Sequence, residues 1–231
     1  MRNPGKLVVA FVITLTLSAL VGCQRGGNAA QSAPAAVNGP EGQPAQAAAD
    51  SGPAAKSAQD PMHPVVAIET SLGSFSVRLD AEKAPVTVEN FLSYVASNFY
   101  DQTIFHQVLT GYPKLALGGA FTPDAMEKKA RTPIYNEAHN GLKNRRGTIA
   151  MARLPDDVNS ATSAFYVNLA DNQVLDHKDR TVDGYGYCVF GEVVEGLDVV
   201  ERIAQVPVRD TEKLEHVPVQ AVLIKSTHRI R

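Results

Sequence analysis

Phe105-His106-Gln107-Val108-Leu109 lies inside Thr103–Leu109, a short apolar run too brief for a helix and rich enough in β-branched and aromatic residues for a strand. Working outward from it, similar runs occur at Gly147–Met151, Phe165–Leu169 and Tyr187–Val194, separated by long connections bearing Gly, Asn and Asp. Upstream, Val66–Thr70 and Ser74–Leu79 flank Ser71-Leu72-Gly73 and read as a hairpin. Between hairpin and opening run, Val88, Phe91, Leu92 and Val95 recur at three- and four-residue spacing after Pro85, which predicts an amphipathic helix of about 13 residues. Gly196–Ala204, with Leu197, Val200 and Ile203 on one face, predicts a second helix, and Val219–Ser226 a final strand. Many short strands with two helices predict a mainly β fold, a closed antiparallel barrel, because closure removes exposed strand edges.

The ends of the chain read differently. Arg2 and Lys6 precede an apolar run from Leu7 to Leu20 that ends in Leu20-Val21-Gly22-Cys23. A charged start, a short apolar stretch and small residues predict an export signal over residues 1–22, the run being shorter than the ~20 residues of a comfortable bilayer span. The ending resembles a bacterial lipobox, which implies lipidation of Cys23 and tethering to a membrane by several acyl chains. Gln24 after the cysteine fits, by the same resemblance, the periplasmic face of the outer membrane in a Gram-negative cell. Residues 23–64 are dominated by Ala, Gly, Pro, Gln and Ser. Such a composition cannot bury enough surface to offset the ordering of its backbone, so a disordered linker is expected, with a reach of roughly 35 Å.

Residues 65–231 suffice for one domain. The net charge of −2 gives no reason to expect nucleic acid as a partner. Arg145-Arg146 and Lys128-Lys129 read as solvated faces. With Cys23 lipidated, Cys188 is the remaining thiol; it lies in an apolar run and reads as core. The six histidines are scattered singly without ligand spacing, so neither metal nor cofactor is expected.

The order of motifs from Val65 to Ser226 resembles the cyclophilin-type peptidyl-prolyl isomerases. Ala84-Pro85-Val86-Thr87-Val88-Glu89-Asn90-Phe91 is similar to the family's first helix, and Thr103-Ile104-Phe105-His106 to the strand that follows. Arg146-Gly147-Thr148-Ile149-Ala150-Met151-Ala152-Arg153, Ser160-Ala161-Thr162-Ser163 before Phe165-Tyr166-Val167-Asn168, and Gly186-Tyr187-Cys188-Val189-Phe190-Gly191 continue the likeness on the bacterial branch. The resemblance implies an eight-stranded antiparallel barrel capped by two helices. It also implies a groove on the barrel's outer face that takes proline-containing chains, a monomer, and no cofactor.

Carried over by position, Leu115, Phe165, Tyr166 and Leu175 would wall the pocket and Tyr187 close one side, with Phe105 and His106 beside it. The Ala152 and Arg153 backbone would pair with substrate. Gln107 stands where the family places its catalytic arginine, Leu117 and Ala164 where it places two glutamines, and Tyr166 adds a hydroxyl where the proline ring would lie. His106 is expected to be a hydrogen-bonded structural histidine. The segment Gly111–Leu117 is about two residues longer than the bacterial pattern and reads as a loop. Three readings follow: an isomerase of exported proteins with attenuated turnover, a non-catalytic module that binds proline-containing segments or an envelope partner, and a hydrolase built on His106 with Ser160 or Asp176. The last lacks a Gly-x-Ser-x-Gly motif.

Overall fold

The computed structural model describes residues 60–230. The expected export signal, Cys23 and most of the expected linker lie outside the described residues.

The hairpin forms from β1 (Val65–Thr70) and β2 (Gly73–Leu79), followed by α1 (Pro85–Ala96), β3 (Thr103–Leu109), β4 (Leu115–Gly118), β5 (Thr148–Met151), β6 (Phe165–Asn168) and β7 (Val189–Glu195). Helix α2 (Leu197–Ile203), the short strands β8 (Val208–Arg209) and β9 (Val217–Pro218), and β10 (Val222–Arg229) complete the chain. Eight strands close into an antiparallel barrel in the order β1-β10-β3-β4-β6-β5-β7-β2, while β8 and β9 pair as a separate ribbon. The predicted class, a closed eight-stranded barrel with two helices, is the one observed.

Helix α1 starts at Pro85, whose missing N–H is one that a helix leaves unpaired anyway. The free N–H groups of Val86 and Thr87 are taken by the carboxylate of Glu137, a residue distant in sequence, at 3.1 and 2.8 Å. Val88, Phe91 and Val95 then face the core as their spacing dictates, and the Phe91 ring packs 5.2 Å from both Tyr100 and Phe190 and 5.6 Å from Phe165. At Gly196, φ is +74° and a Cβ would lie 2.5 Å from the Ser74 carbonyl, so the turn into α2 requires glycine.

Three expectations on element bounds are corrected. Leu115–Gly118, read as loop, is a strand; all four residues are buried, so no alternation marks it. The last strand starts three residues later than predicted and runs to Arg229, because Val217-Pro218 pairs with β8, the Val219 N–H goes to the Pro207 carbonyl, and Val66 of β1 has Arg229 as its partner. Pro61–Pro64, assigned to the linker, carries hydrogen bonds to the barrel: the carbonyls of Met62 and Pro64 accept from Ala81 and Leu79, each at 2.9 Å.

Candidate active site

Side chains alternate across a strand, so β3, β4, β6 and β5 each offer one set of residues to the barrel interior and another to its outer face. The interior set is Phe105, Val108, Ala116, Ile149, Met151, Phe165 and Val167, all in one buried cluster. On the other face, register places Gln107 opposite Leu117, Leu117 opposite Tyr166, and Tyr166 opposite Ala150. Gln107, Leu117 and Tyr166, separated in sequence by up to 59 positions, therefore form one row across three neighbouring strands. This is the juxtaposition that the motif positions anticipate.

Gln107 is 7% exposed, and among the described residues its side-chain amide has no hydrogen-bond partner. It is a neutral donor placed in the row, without the fixed charge and five-donor fork of arginine. Beyond Leu117, the Tyr166 hydroxyl donates to Asn144 Oδ1 at 2.7 Å. The hydroxyl is thereby held in a buried polar network. Asn144 in turn donates to the Leu175 carbonyl at 3.1 Å, and Asn168 and Asn172 extend the network to both backbone groups of Lys114. Burial raises the phenol of Tyr166 well above the ordinary tyrosine range, so it is a donor at every physiological pH.

On the next side, the Tyr187 ring meets Tyr166 edge-on with centroids 6.1 Å apart. Its backbone N–H donates to the Leu175 carbonyl at 3.0 Å, which ties Leu175 and Tyr187 together. The Arg153 guanidinium stacks 4.8 Å above the Tyr187 ring. Ala164 sits at the edge of a small cluster formed by Ile104, Ala120 and Phe121.

Several expected roles change. Phe105 and Phe165 do not line the outer face; both point into the barrel, their rings edge-to-face at 6.2 Å, because the strand alternation assigns them to the interior. His106 is 2% exposed and packs against Phe121 at 4.7 Å, and among the described residues its Nδ1 is buried without a partner. Burial pushes its pKa down to about 4, leaving the ring neutral. The Ala152 N–H donates to the Ala164 carbonyl and is thereby withdrawn from substrate pairing. Lys128, read as solvated, donates to the carbonyls of Phe99 and Asp101 and stacks on the Phe99 ring.

Among the described residues no hydrolytic constellation assembles. Ser160 bonds the backbone of Asp157 and Leu154, and Asp176 accepts from Asn144, so neither meets His106. Cys188 is buried and its thiol is pushed up to about 12, which makes it a packing residue. A cleft of about 590 Å³ opens elsewhere, between Arg78, Asp80, Lys143 and Glu192. It shares no residue with the row, and charged side chains of both signs stand beside Leu79, Leu142 and Val189 in its lining.

A family model, the cyclophilin type peptidyl-prolyl cis-trans isomerases, matches residues 65–229. Peptidyl-prolyl cis-trans isomerase A of Dickeya dadantii is 45% identical over 166 residues, covering 72% of this chain and 84% of that protein. Peptidyl-prolyl cis-trans isomerase B of Escherichia coli is 43% identical over 162 residues, covering 70% of this chain and 97% of the relative. Among solved structures, a Cryptosporidium parvum cyclophilin type peptidyl-prolyl cis-trans isomerase in the presence of the dipeptide Ala-Pro matches with a TM-score of 0.61 at 25% identity, covering 72% of this chain and 99% of that one. With the family model spanning the whole barrel and bacterial relatives this similar, the chain belongs to the cyclophilin-type peptidyl-prolyl cis-trans isomerases.

Proposed function

We propose that this protein is a peptidyl-prolyl cis-trans isomerase for X-Pro bonds of exported proteins, with turnover attenuated by a remodelled groove. The observation that carries the reading is the cross-strand row Gln107–Leu117–Tyr166 on the outer face, with Tyr187 and Leu175 at its side. Rotation about an X-Pro bond faces a barrier of ~18–20 kcal/mol because amide resonance must be broken. A twisted amide exposes the prolyl nitrogen lone pair, and a donor that meets it only in that state lowers the barrier without tightening ground-state binding. Gln107 is the donor available in the row. Losing a charge-assisted bond of ~1.5–3 kcal/mol slows turnover roughly ten- to a hundredfold.

A second reading rests on the resemblance: Gln107, Leu117 and Ala164 stand where it places an arginine and two glutamines. A groove that has lost these contacts keeps apolar walls able to hold a proline ring, which suits a binding module for proline-containing segments. Isomerisation of an Ala-Pro peptide by the full-length protein and by Gln107→Arg separates the two. Measurable wild-type acceleration, raised in Gln107→Arg, supports the attenuated enzyme; binding without acceleration supports the module.

The export signal and lipobox-like ending at Cys23 support a lipid-anchored protein of the cell envelope, at the periplasmic face of the outer membrane, acting as a monomer on unfolded chains. Cys23→Ala is expected to move the protein from the membrane fraction to the soluble one. Retention in the membrane fraction would sink the anchor.

A further inference from the structure

Arg153 is 7% exposed, and among the described residues no carboxylate pairs with it. Burying a guanidinium without a counter-ion is costly and is tolerated when its donors are met by well-placed acceptors. Here they are met by backbone. Nε donates to the Gly186 carbonyl at 3.0 Å, Nη1 to those of Leu154 and Pro155 at 2.8 and 3.1 Å, and Nη2 to that of Val182 at 2.8 Å. The planar face of the same group lies over the Tyr187 ring. One side chain thus bridges two segments far apart in sequence, Leu154-Pro155 and Val182–Gly186, and presses on the residue that follows the second.

The second of these segments leads directly into Tyr187, at the side of the row. Tyr187 meets Tyr166 edge-on, and its N–H holds the Leu175 carbonyl. The Gly186 carbonyl also accepts from Asn136 Nδ2 at 3.2 Å. Gly186 itself has φ +75°, and a Cβ there would come within 2.5 Å of the His177 backbone N, so the turn that presents Tyr187 has a single arrangement to be held in.

We propose that Arg153 is a positioning residue for the isomerase reaction: it pre-orders the Tyr187 side of the groove, so that a proline-containing chain does not have to order it on binding. This rests on the isomerase reading above. A rim ordered in advance helps ground and transition states alike, so its loss raises KM and leaves kcat nearly unchanged. The fork is essential, because a lysine ammonium cannot hold four carbonyls in one plane and stack at once.

The test compares full-length wild type with Arg153→Gln and Arg153→Lys, measuring kcat, KM and Kd for an Ala-Pro peptide well below the thermal midpoint of each. Both variants are expected to raise KM and Kd about tenfold, the scale of ordering a rim side chain and its loop on binding, with kcat within about twofold. Arg153→Gln with wild-type KM and Kd overturns the positioning role and leaves the isomerase reading standing. Should Arg153→Gln fail to fold, Arg153→Lys decides: wild-type KM there, or failure to fold as well, makes Arg153 a structural residue only. A wild type that neither binds nor isomerises the peptide removes the isomerase reading, and the positioning role with it.

Discussion

The two faces of strands β3, β4, β5 and β6 make an instructive pair. The interior face is an interlocked set of rings, with Phe165 edge-on to Phe91, Tyr100 and Phe105 at 5.6, 5.4 and 6.2 Å. The outer face of the same strands holds Gln107, Leu117 and Tyr166, where among the described residues the amide has no hydrogen-bond partner and the single hydroxyl donates to Asn144. Alternation lets the two sets vary independently. A replacement on the outer face leaves the rings that define the barrel in place, so that face can change without loss of fold.

This contrast can be broken from either side. The largest effect is expected at Phe165→Ala, which leaves a void among three rings and should destabilise the protein by about 3–5 kcal/mol in urea unfolding. A loss under about 1 kcal/mol would mean that the interior is less interlocked than its geometry implies.

His106 comes next. Its pKa is about 4 in the fold and ordinarily about 6.5 when exposed, so between those values the unfolded chain binds more protons. Stability is then full above pH 6.5 and falls as pH drops through that window, by up to ~3 kcal/mol. Comparison with His106→Phe between pH 7 and 4.5 should show the slope flattened in the variant, and parallel slopes would refute the buried neutral ring.

Gln107→Arg tests the outer face. It should raise kcat/KM by roughly ten- to a hundredfold while shifting the unfolding midpoint little, since among the described residues Gln107 makes no side-chain hydrogen bond to lose. A large drop in stability would show that the two faces are coupled. The smallest effect belongs to Tyr166→Phe: stability should fall by about 1 kcal/mol, the scale of one hydrogen bond, and KM should stay within about twofold. A large change in KM would put the hydroxyl back into the groove.

Much of this was legible in the chain. Val88, Phe91 and Val95 marked α1 by helical spacing, and the order of motifs from Ala84 to Gly191 pointed to the row that contains Gln107, Leu117 and Tyr166. What stayed hidden depended on partners distant in sequence. Leu115-Ala116-Leu117-Gly118 is apolar on both faces, so only its pairing with β3 and β6 identifies it as a strand. The partner of the Tyr166 hydroxyl stayed hidden because Asn144, its acceptor, is 22 residues away. Lys128 looked solvated because the carbonyls that hold it belong to Phe99 and Asp101.

By itself the sequence determined the barrel class and the family, since periodicity and motif order are local properties that survive without coordinates. Which face each motif residue takes was decided by tertiary structure alone. Strand register and a bulge between Phe105 and Gln107 send Phe105 inward and leave Gln107 in the outer row, and the closing of distant segments gives Arg153 its four carbonyls. The reason is physical: a side chain's role follows from what it touches, and pairing between strands sets that.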